Sequence, residues 1–214
     1  MKSSSEYRAM ARESLRGVWN ESALAVLIIF AIACIFSVSS VVAPQEILWL
    51  QGSLSGAQVA VSLLLIVPLG YGFNNAMLSL VRCESNTPTN NMLAYFKRDY
   101  SRSVPALVLV ALAQLGLGIV TLGIGIFILA YAYAMVPYLL RDYPELTATE
   151  ALRTSRQMMK GHKWDLFVLD FTFIGWMILC CFTLGIGFIW LQPYMSVAHA
   201  HFYEDLKAEM IVEE

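Results

Sequence analysis

Residues 104–140 read VPALVLVALAQLGLGIVTLGIGIFILAYAYAMVPYLL and contain no charged side chain. As one helix, this stretch would be about 56 Å long, whereas the hydrocarbon core of a bilayer is about 30 Å thick. Its TLGIG pentapeptide places Gly123 and Gly125 near the centre of the stretch, where paired glycines favour a tight turn. The stretch therefore predicts a hairpin of two short apolar helices.

Three other apolar runs flank this one. Residues 166–203 repeat the TLGIG pentapeptide at 183–187 and contain one acidic residue, Asp170, so they predict a second hairpin. Residues 22–43 and 57–81 each have the length of a single membrane span. Together the runs predict six transmembrane helices arranged in three hairpins.

The composition excludes several classes of protein. Of the 214 residues, 58% are hydrophobic and 14% are charged, whereas soluble domains average about 45–50% and about 25%. A soluble globule of this length could not bury so much apolar surface, and a disordered chain would be far more polar. The net charge of −2 predicts no nucleic-acid partner, and four cysteines form no disulfide framework. We therefore predict an all-α polytopic membrane protein with one integral membrane domain over residues 1–214.

The distribution of basic residues predicts the orientation of the helices, because lysine and arginine are retained on the cytoplasmic side. On the six-helix map all 14 fall on one side, and Glu46 is the only charge on the other. The basic residues are Lys2, Arg8, Arg12, Arg16, Arg82, Lys97, Arg98, Arg102, Arg141, Arg153, Arg156, Lys160, Lys163 and Lys207. We expect a multi-pass membrane protein with cytoplasmic N- and C-termini. Re-entrant TLGIG hairpins, which dip into the membrane without crossing it, would satisfy the same rule.

A basic, partly apolar segment precedes each hairpin. Residues 6–20 and 91–102 carry apolar side chains at helical spacing, and a third segment starts at Thr147 with a capping-box pattern. Basic amphipathic helices lie in the headgroup layer, here on the cytoplasmic side. The predicted pseudo-repeats, each an amphipathic helix and a hairpin, span about 5–82, 90–141 and 147–206. Basic amphipathic connectors also occur in polytopic proteins without repeats, and that alternative stays open.

Polar side chains inside apolar helices are costly and therefore informative. Asp170 lies in the inner half of the fifth predicted span. A shift of 125 residues aligns Asn74 with His199, and a shift of 59 aligns Asn74 with Tyr133. We hypothesise a polar cluster that binds a lipid headgroup or a cation, or relays a proton, formed by Asn74, Asn75, Tyr133, Asp170, His199 and His201. The alternative is interhelical hydrogen bonding that only fixes helix packing.

A second set of residues is suited to contact anionic phospholipid at the inner membrane surface. Lysine and arginine can reach lipid phosphates, and tryptophan rings prefer the membrane interface. The predicted contact residues are Arg12, Arg16, Trp19, Lys160, Lys163 and Trp164.

The sequence predicts no catalytic residue, no metal site and no cofactor. The three histidines lack the HExxH spacing of metalloproteases, and no GxSxG nucleophile elbow is present. The Gly-x-Gly pairs are followed by no Lys-Ser or Lys-Thr, so they are not phosphate-binding loops.

Several motifs carry a likeness to a known family. They include Met159-Lys160-Gly161-His162-Lys163-Trp164, Phe173-Ile174-Gly175-Trp176, the TLGIG pentapeptide at 183–187 and Phe202-Tyr203-Glu204-Asp205-Leu206. With Ala11-Arg12-Glu13 and Trp19 near the N-terminus, the chain resembles the bacterial integral-membrane "domain of unknown function 975" family. The resemblance implies a polytopic bacterial inner-membrane protein, and it implies no activity because that family is uncharacterised.

These observations lead to two functional expectations. The first is a non-enzymatic inner-membrane protein that scaffolds, or that binds anionic phospholipid headgroups or a membrane-protein partner at the inner leaflet. The alternative is a transporter or permeability factor for a small or amphipathic solute, which would use the polar cluster. Transport is disfavoured because broken midplane helices with paired acidic residues are absent from the sequence.

Overall fold

The computed structural model describes residues 2–42, 62–85, 87–98, 100–120 and 124–213, together with Val59. Every secondary-structure element in these residues is a helix, which confirms the all-α prediction for the described part of the chain. The helices are α1 (Ser4–Ser14), α2 (Trp19–Val42), a π-helical turn (Ser62–Ile66) that continues into α3 (Val67–Val81), α4 (Pro88–Arg98), α5 (Tyr100–Val120), α6 (Ile124–Ala132), α7 (Val136–Asp142), α8 (Ala148–Met158), α9 (Lys163–Phe171), α10 (Ile174–Phe182) and α11 (Phe188–Glu213).

Fewer helices than six are long and apolar enough to cross a membrane. Among the described residues, Ser62–Val81 and Lys163–Phe182 meet that test. A third span is obtained only if α1 and residues Trp19–Ile35, which are bent by 97° at their junction, count as one. The six-span prediction is therefore not confirmed. One physical reason is the break between α6 and α7, just before Pro137, which leaves two short helices in place of one span.

The second predicted hairpin turn is confirmed at residues 183–187. Leu184 and Gly185 adopt left-handed φ angles of 53° and 85° there. The hydroxyl of Thr183 accepts a hydrogen bond from the backbone N–H of Gly187 at 3.1 Å, which closes the turn. A Cβ atom at Gly187 would lie 2.6 Å from the sulfur of Cys180, so α10 and α11 approach each other closely at this tip. In the first TLGIG pentapeptide, residues 121–123 lie outside the described part of the chain.

The three amphipathic segments are helical, with corrected boundaries for two of them. Helix α1 ends at Ser14 because a turn with Gly17 at a φ of 89° follows, so Trp19 begins α2 and does not belong to the amphipathic helix. The second segment, predicted at 91–102, begins earlier as α4 and ends at Arg98. The capping box of α8 is confirmed, because the side chains of Thr147 and Glu150 each accept from the other residue's backbone N–H.

The amphipathic helices share one mode of packing. Helix α4 packs on α3, α8 packs on α7 and α5, and α1 packs on α11. Each buries apolar side chains in these contacts, such as Tyr7 of α1, Met92 of α4 and Leu152 of α8, and leaves most of its charged side chains exposed.

The buried core lies at the end of the molecule that carries these polar helices. Its main cluster joins α1, α3, α4, α7, α9 and α11 around side chains such as Leu15, Met77 and Phe202. The hairpin ends are different, because their large apolar side chains are exposed: Phe127 by 72%, Phe182 by 81% and Leu184 by 95%. The described part of the chain therefore has a polar, well-packed zone and an apolar zone that lacks a protein cover over these side chains.

A substitution at Gly72 tests the close contact between α3 and α4. A Cβ atom there would lie 2.4 Å from the carbonyl oxygen of Met92, whereas a Cβ atom at Gly70 would meet nothing within 4 Å. We predict that Gly72→Ala lowers the free energy of unfolding by about 1–3 kcal/mol, because the backbones must separate. Gly70→Ala is the matched control and should be neutral or slightly stabilising. Denaturation in detergent measures both, and equal stabilities would contradict the predicted contact.

Candidate functional site

The ends of α3 and α7 meet α11 at the carboxylate of Asp142. Arg82, at the end of α3, donates to both oxygens of this carboxylate at 2.7 and 2.6 Å. From α11, the Lys207 ammonium and the Tyr203 hydroxyl donate to the same carboxylate at 2.5 and 2.9 Å. One carboxylate thus joins α3, α7 and α11.

The ionic network extends on both sides of this centre. Arg82 also donates from Nε to Glu204 at 2.7 Å. Arg141 pairs with Glu84, donates to the backbone carbonyl of Asn75 at 2.8 Å and lies over the ring of Tyr95. We call Arg82, Glu84, Arg141, Asp142, Glu204 and Lys207 the inner ionic network.

Asp142, at the centre of the network, is ionised at neutral pH. Burial by itself would raise the pKa of Asp142, but hydrogen bonds from Arg82 and Lys207 outweigh that effect and lower the pKa to about 2. The hydrogen bond with Asp142 also raises the pKa of Arg82. The ion pairs therefore hold the three helix ends together over the physiological pH range.

The sequence contains a signal for this network that the polar-cluster hypothesis did not use. The shift of 125 residues aligns Arg82 with Lys207, and the shift of 59 aligns Arg82 with Arg141. The acidic partner could not be found this way, because Asp142 lies 60 residues after Arg82, a separation that matches neither shift.

Two members of the predicted polar cluster are directly paired. Nε2 of His199 lies 2.6 Å from Oδ1 of Asp170, and both side chains are about one quarter exposed or less. The tyrosine that neighbours Asp170 is Tyr131. Tyr133 packs against a smaller, separate cluster of buried side chains that includes Tyr71 and Val136.

The remaining members of that prediction lie elsewhere. The hydroxyl of Ser14 hydrogen bonds with Nε2 of His201 at 3.0 Å, which fastens α1 to α11. Asn74 is half-buried. Asn75 is fully buried, and neither polar atom of its side chain has a hydrogen-bond partner among the described residues. The structure thus brings Asp170 and His199 together and places His201 in a different contact.

A cavity of about 520 Å³ opens between α1, the start of α2, α10 and α11. Two arginines line one part of it, and tryptophans and aliphatic side chains line most of the rest. The lining residues are Arg8, Arg12, Trp19, Trp176, Leu179, Cys180, Thr183, Gly187, Trp190, Leu191 and Tyr194. We call this cavity the arginine–tryptophan groove.

Two of the predicted lipid contacts, Arg12 and Trp19, line this groove, and Arg8 was missed. The signal that could have found Arg8 is its position four residues before Arg12 on one helix face. Lys160 lines a separate cavity of about 410 Å³ beside His162 and Glu209. The other predicted contacts, Arg16, Lys163 and Trp164, are partly or fully exposed outside the groove. Within the described residues, no group of three or more His, Cys, Asp or Glu could hold a metal ion.

Comparison with known proteins gives a family and no characterised relative. The family described as "Protein of unknown function (DUF975)" matches residues 1–124 and residues 115–210. No curated protein and no solved structure matches the chain.

Removal of the Asp142 carboxylate tests the inner ionic network. We predict that Asp142→Asn lowers the free energy of unfolding by about 2–4 kcal/mol, because Arg82 and Lys207 lose their shared counterion. The exposed pair of Lys2 with Asp205 gives the control, and Lys2→Gln should cost less than about 1 kcal/mol. Equal losses in the two variants, measured by denaturation in detergent, would contradict the central role of Asp142.

The native chain and the Asp142→Asn variant also give a prediction about the pH dependence of stability. The pKa of Asp142 is lowered to about 2 in the folded chain, against about 3.9 for an unfolded aspartate. Its contribution to stability is complete above the unfolded pKa and disappears as the pH falls towards 2. The stability difference between the native chain and Asp142→Asn should therefore shrink as the pH is lowered from 5 to about 2. A difference that does not change with pH would show that Asp142 is not ionised in the folded chain.

Proposed function

We propose a function from the premise that this chain belongs to the DUF975 family of proteins of unknown function. In this proposal it is a non-enzymatic, multi-pass protein of the bacterial inner membrane with both termini in the cytoplasm. It binds anionic phospholipid headgroups and scaffolds a membrane-protein partner at the inner leaflet. The observation that carries the proposal is the separation of a polar, ion-paired zone from exposed apolar hairpin ends.

The packing of α1 on α11 supports a position at the headgroup level. The Tyr194 hydroxyl donates to the backbone carbonyl of Arg8, and the Tyr7 hydroxyl donates to Asp205 further along α11. Helix α1 thus lies along α11 over this length, with exposed charged side chains such as Arg12. Charged side chains are costly in hydrocarbon, so this part of α11 belongs at or outside the headgroup layer.

The same argument limits the depth of the third hairpin. Asp170 of α9 pairs with His199 in this part of α11, so α9 lies at the same level, although α9 and α10 together are long enough to span a bilayer. What remains for the hydrocarbon is α10, the turn at 183–187 and the start of α11 before Tyr194. Helix α10 has nine residues and is about 14 Å long, roughly half of the hydrocarbon thickness. In our proposal this hairpin is re-entrant and reaches about the middle of the bilayer.

The charges of the polar zone support lipid binding and scaffolding over catalysis. Three of its carboxylates, Glu84, Asp142 and Glu204, are engaged in internal pairs with Arg82, Arg141 and Lys207. Exposed basic side chains outside these pairs, such as Lys160, are left to face the membrane surface or a partner. A basic side chain near an anionic membrane contributes about 1 kcal/mol of attraction.

We also propose that the chain is one domain of three pseudo-repeats, at about 5–82, 90–141 and 147–206. The packing of α4 on α3, α8 on α7 and α1 on α11 supports this arrangement, as each contact joins one unit to the next. Further support is that Arg82, Arg141 and Lys207, which the two shifts align, all belong to the inner ionic network.

Lipid composition tests the proposed function. We predict that protein purified in mild detergent retains anionic phospholipids several-fold above their share of the source membrane, since each basic contact favours them about fivefold. Native mass spectrometry measures this ratio. Lys160→Gln with Lys163→Gln should lower it, and Thr149→Ala is the uncharged control on the same surface. Retained lipid with the composition of the source membrane would contradict lipid binding.

A second candidate, transport of a small or amphipathic solute, is favoured by the Asp170–His199 pair. If these residues only pack, a double-mutant cycle of Asp170→Asn and His199→Gln should give a coupling of about 0.6 kcal/mol. Proton flux into proteoliposomes, followed with a pH-sensitive dye, should then be the same for the native chain and Asp170→Asn. A flux that Asp170→Asn abolishes would favour the transporter over the scaffold.

A further inference from the structure

The arginine–tryptophan groove combines a cationic surface with an aromatic and apolar one. At one part the guanidinium groups of Arg8 and Arg12 stand one helical turn apart on α1. Along the rest, α10 and α11 supply the rings of Trp176 and Trp190 and the side chain of Leu191. Its volume of about 520 Å³ lies within the range of small-molecule sites.

The arginines are available to bind an anion. Nε of Arg8 is buried and has no hydrogen-bond partner among the described residues, although a buried donor without a partner is costly. Neither Arg8 nor Arg12 takes part in the ion pairs formed by the described part of the chain. Guanidinium groups bind phosphate through paired, charge-assisted hydrogen bonds, so an incoming phosphate would satisfy the orphaned donor.

The apolar part of the groove is open and has the length for part of a hydrocarbon chain. It runs along α11 from Tyr194 to Gly187, seven residues or about 10 Å. Trp176 is 52% exposed and Trp190 is 45% exposed, so the groove is open at its side. It ends at the hairpin tip, where Leu184 is almost fully exposed. An acyl chain entering from the bilayer could therefore lie in the groove without breaking a protein contact.

We propose that the arginine–tryptophan groove binds one anionic glycerophospholipid of the inner leaflet. Its phosphate contacts Arg8 and Arg12, and an acyl chain lies over Trp176 and Trp190. A zwitterionic lipid is disfavoured, because its quaternary ammonium group would lie near two guanidinium groups. This inference rests on the proposed function and assigns it a specific site.

Tryptophan quenching tests the site directly. The probe is phosphatidylglycerol with brominated acyl chains, added to phosphatidylcholine vesicles that contain the full chain, and brominated phosphatidylcholine is the reference. We predict stronger quenching by the brominated phosphatidylglycerol at equal mole fraction. Arg8→Gln with Arg12→Gln should weaken its apparent affinity by about 25-fold, about fivefold for each arginine. The matched control, Arg153→Gln with Arg156→Gln, removes the same charge from α8 outside the groove and should keep the native affinity.

Two further variants keep the test decisive. Arg8→Lys with Arg12→Lys retains the charge and should restore much of the selectivity, which a misfolded variant could not do. Trp176→Phe with Trp190→Phe should remove most of the selective quenching, because these rings report on the groove.

Three outcomes would overturn the proposal. They are equal quenching by the two lipids, an equal loss of affinity in the α8 control, and displacement of the lipid by inorganic phosphate alone, which would indicate a site for free anions. If anionic lipids are enriched on the purified protein but quenching is unselective, the groove assignment fails and the proposed function stands. If enrichment is also absent, both fail.

Discussion

Charged side chains are costly in hydrocarbon, and this constraint determines where the rest of the molecule can lie. Helices α1, α4 and α8 are polar on their outer faces, yet each packs against a helix that leads towards an apolar end. In the proposed membrane protein the polar helices stay at the headgroup level, so they limit how far the apolar helices enter the bilayer. In this account the depth of the hairpins follows from the packing of the amphipathic helices and not from hydropathy alone.

The inner ionic network keeps that arrangement together. Asp142 binds Arg82 of α3 and Lys207 of α11, and Tyr203 adds a hydrogen bond to the same carboxylate. These contacts join chain segments that are 60 or more residues apart. Because the side chain of Asp142 is only 5% exposed, water screens these ion pairs less than surface pairs. The pairs therefore contribute to stability and also set the positions of the ends of α3 and α7 against α11.

Local features of the fold were predictable from the sequence, and long-range ones were not. The capping box at Thr147 and the turn at 183–187 depend on neighbouring residues, so their patterns predict them. The break between α6 and α7 was not expected from Pro137 alone, and in the structure Tyr131 is the tyrosine that neighbours Asp170. The pairing of Asp170 with His199 followed from their similar depth in adjacent spans.

The groove and the ionic network lay beyond sequence reasoning for a physical reason. Both depend on which helices pack together. Arg8 lines the groove with Trp190 only when α1 packs on α11, and Asp142 pairs with Arg82 only when α7 packs on α3. Composition and charge indicate that basic residues gather on one side, but they do not indicate which of them have acidic partners. Arg82 has the acidic partners Asp142 and Glu204, whereas Arg8 and Arg12 take part in none of the ion pairs among the described residues.

The depth of two spin labels tests the central claim most directly. Nitroxides would be placed at Ala9→Cys on the exposed side of α1 and at Leu184→Cys at the hairpin tip, with the four native cysteines replaced by alanine. Accessibility to oxygen and to a water-soluble relaxation agent gives the depth of each label in vesicles. We predict that the label at 9 lies at the headgroup level and the label at 184 near the bilayer centre. A label at 184 in the headgroups of the opposite leaflet would show that the hairpin crosses the membrane and would contradict the account.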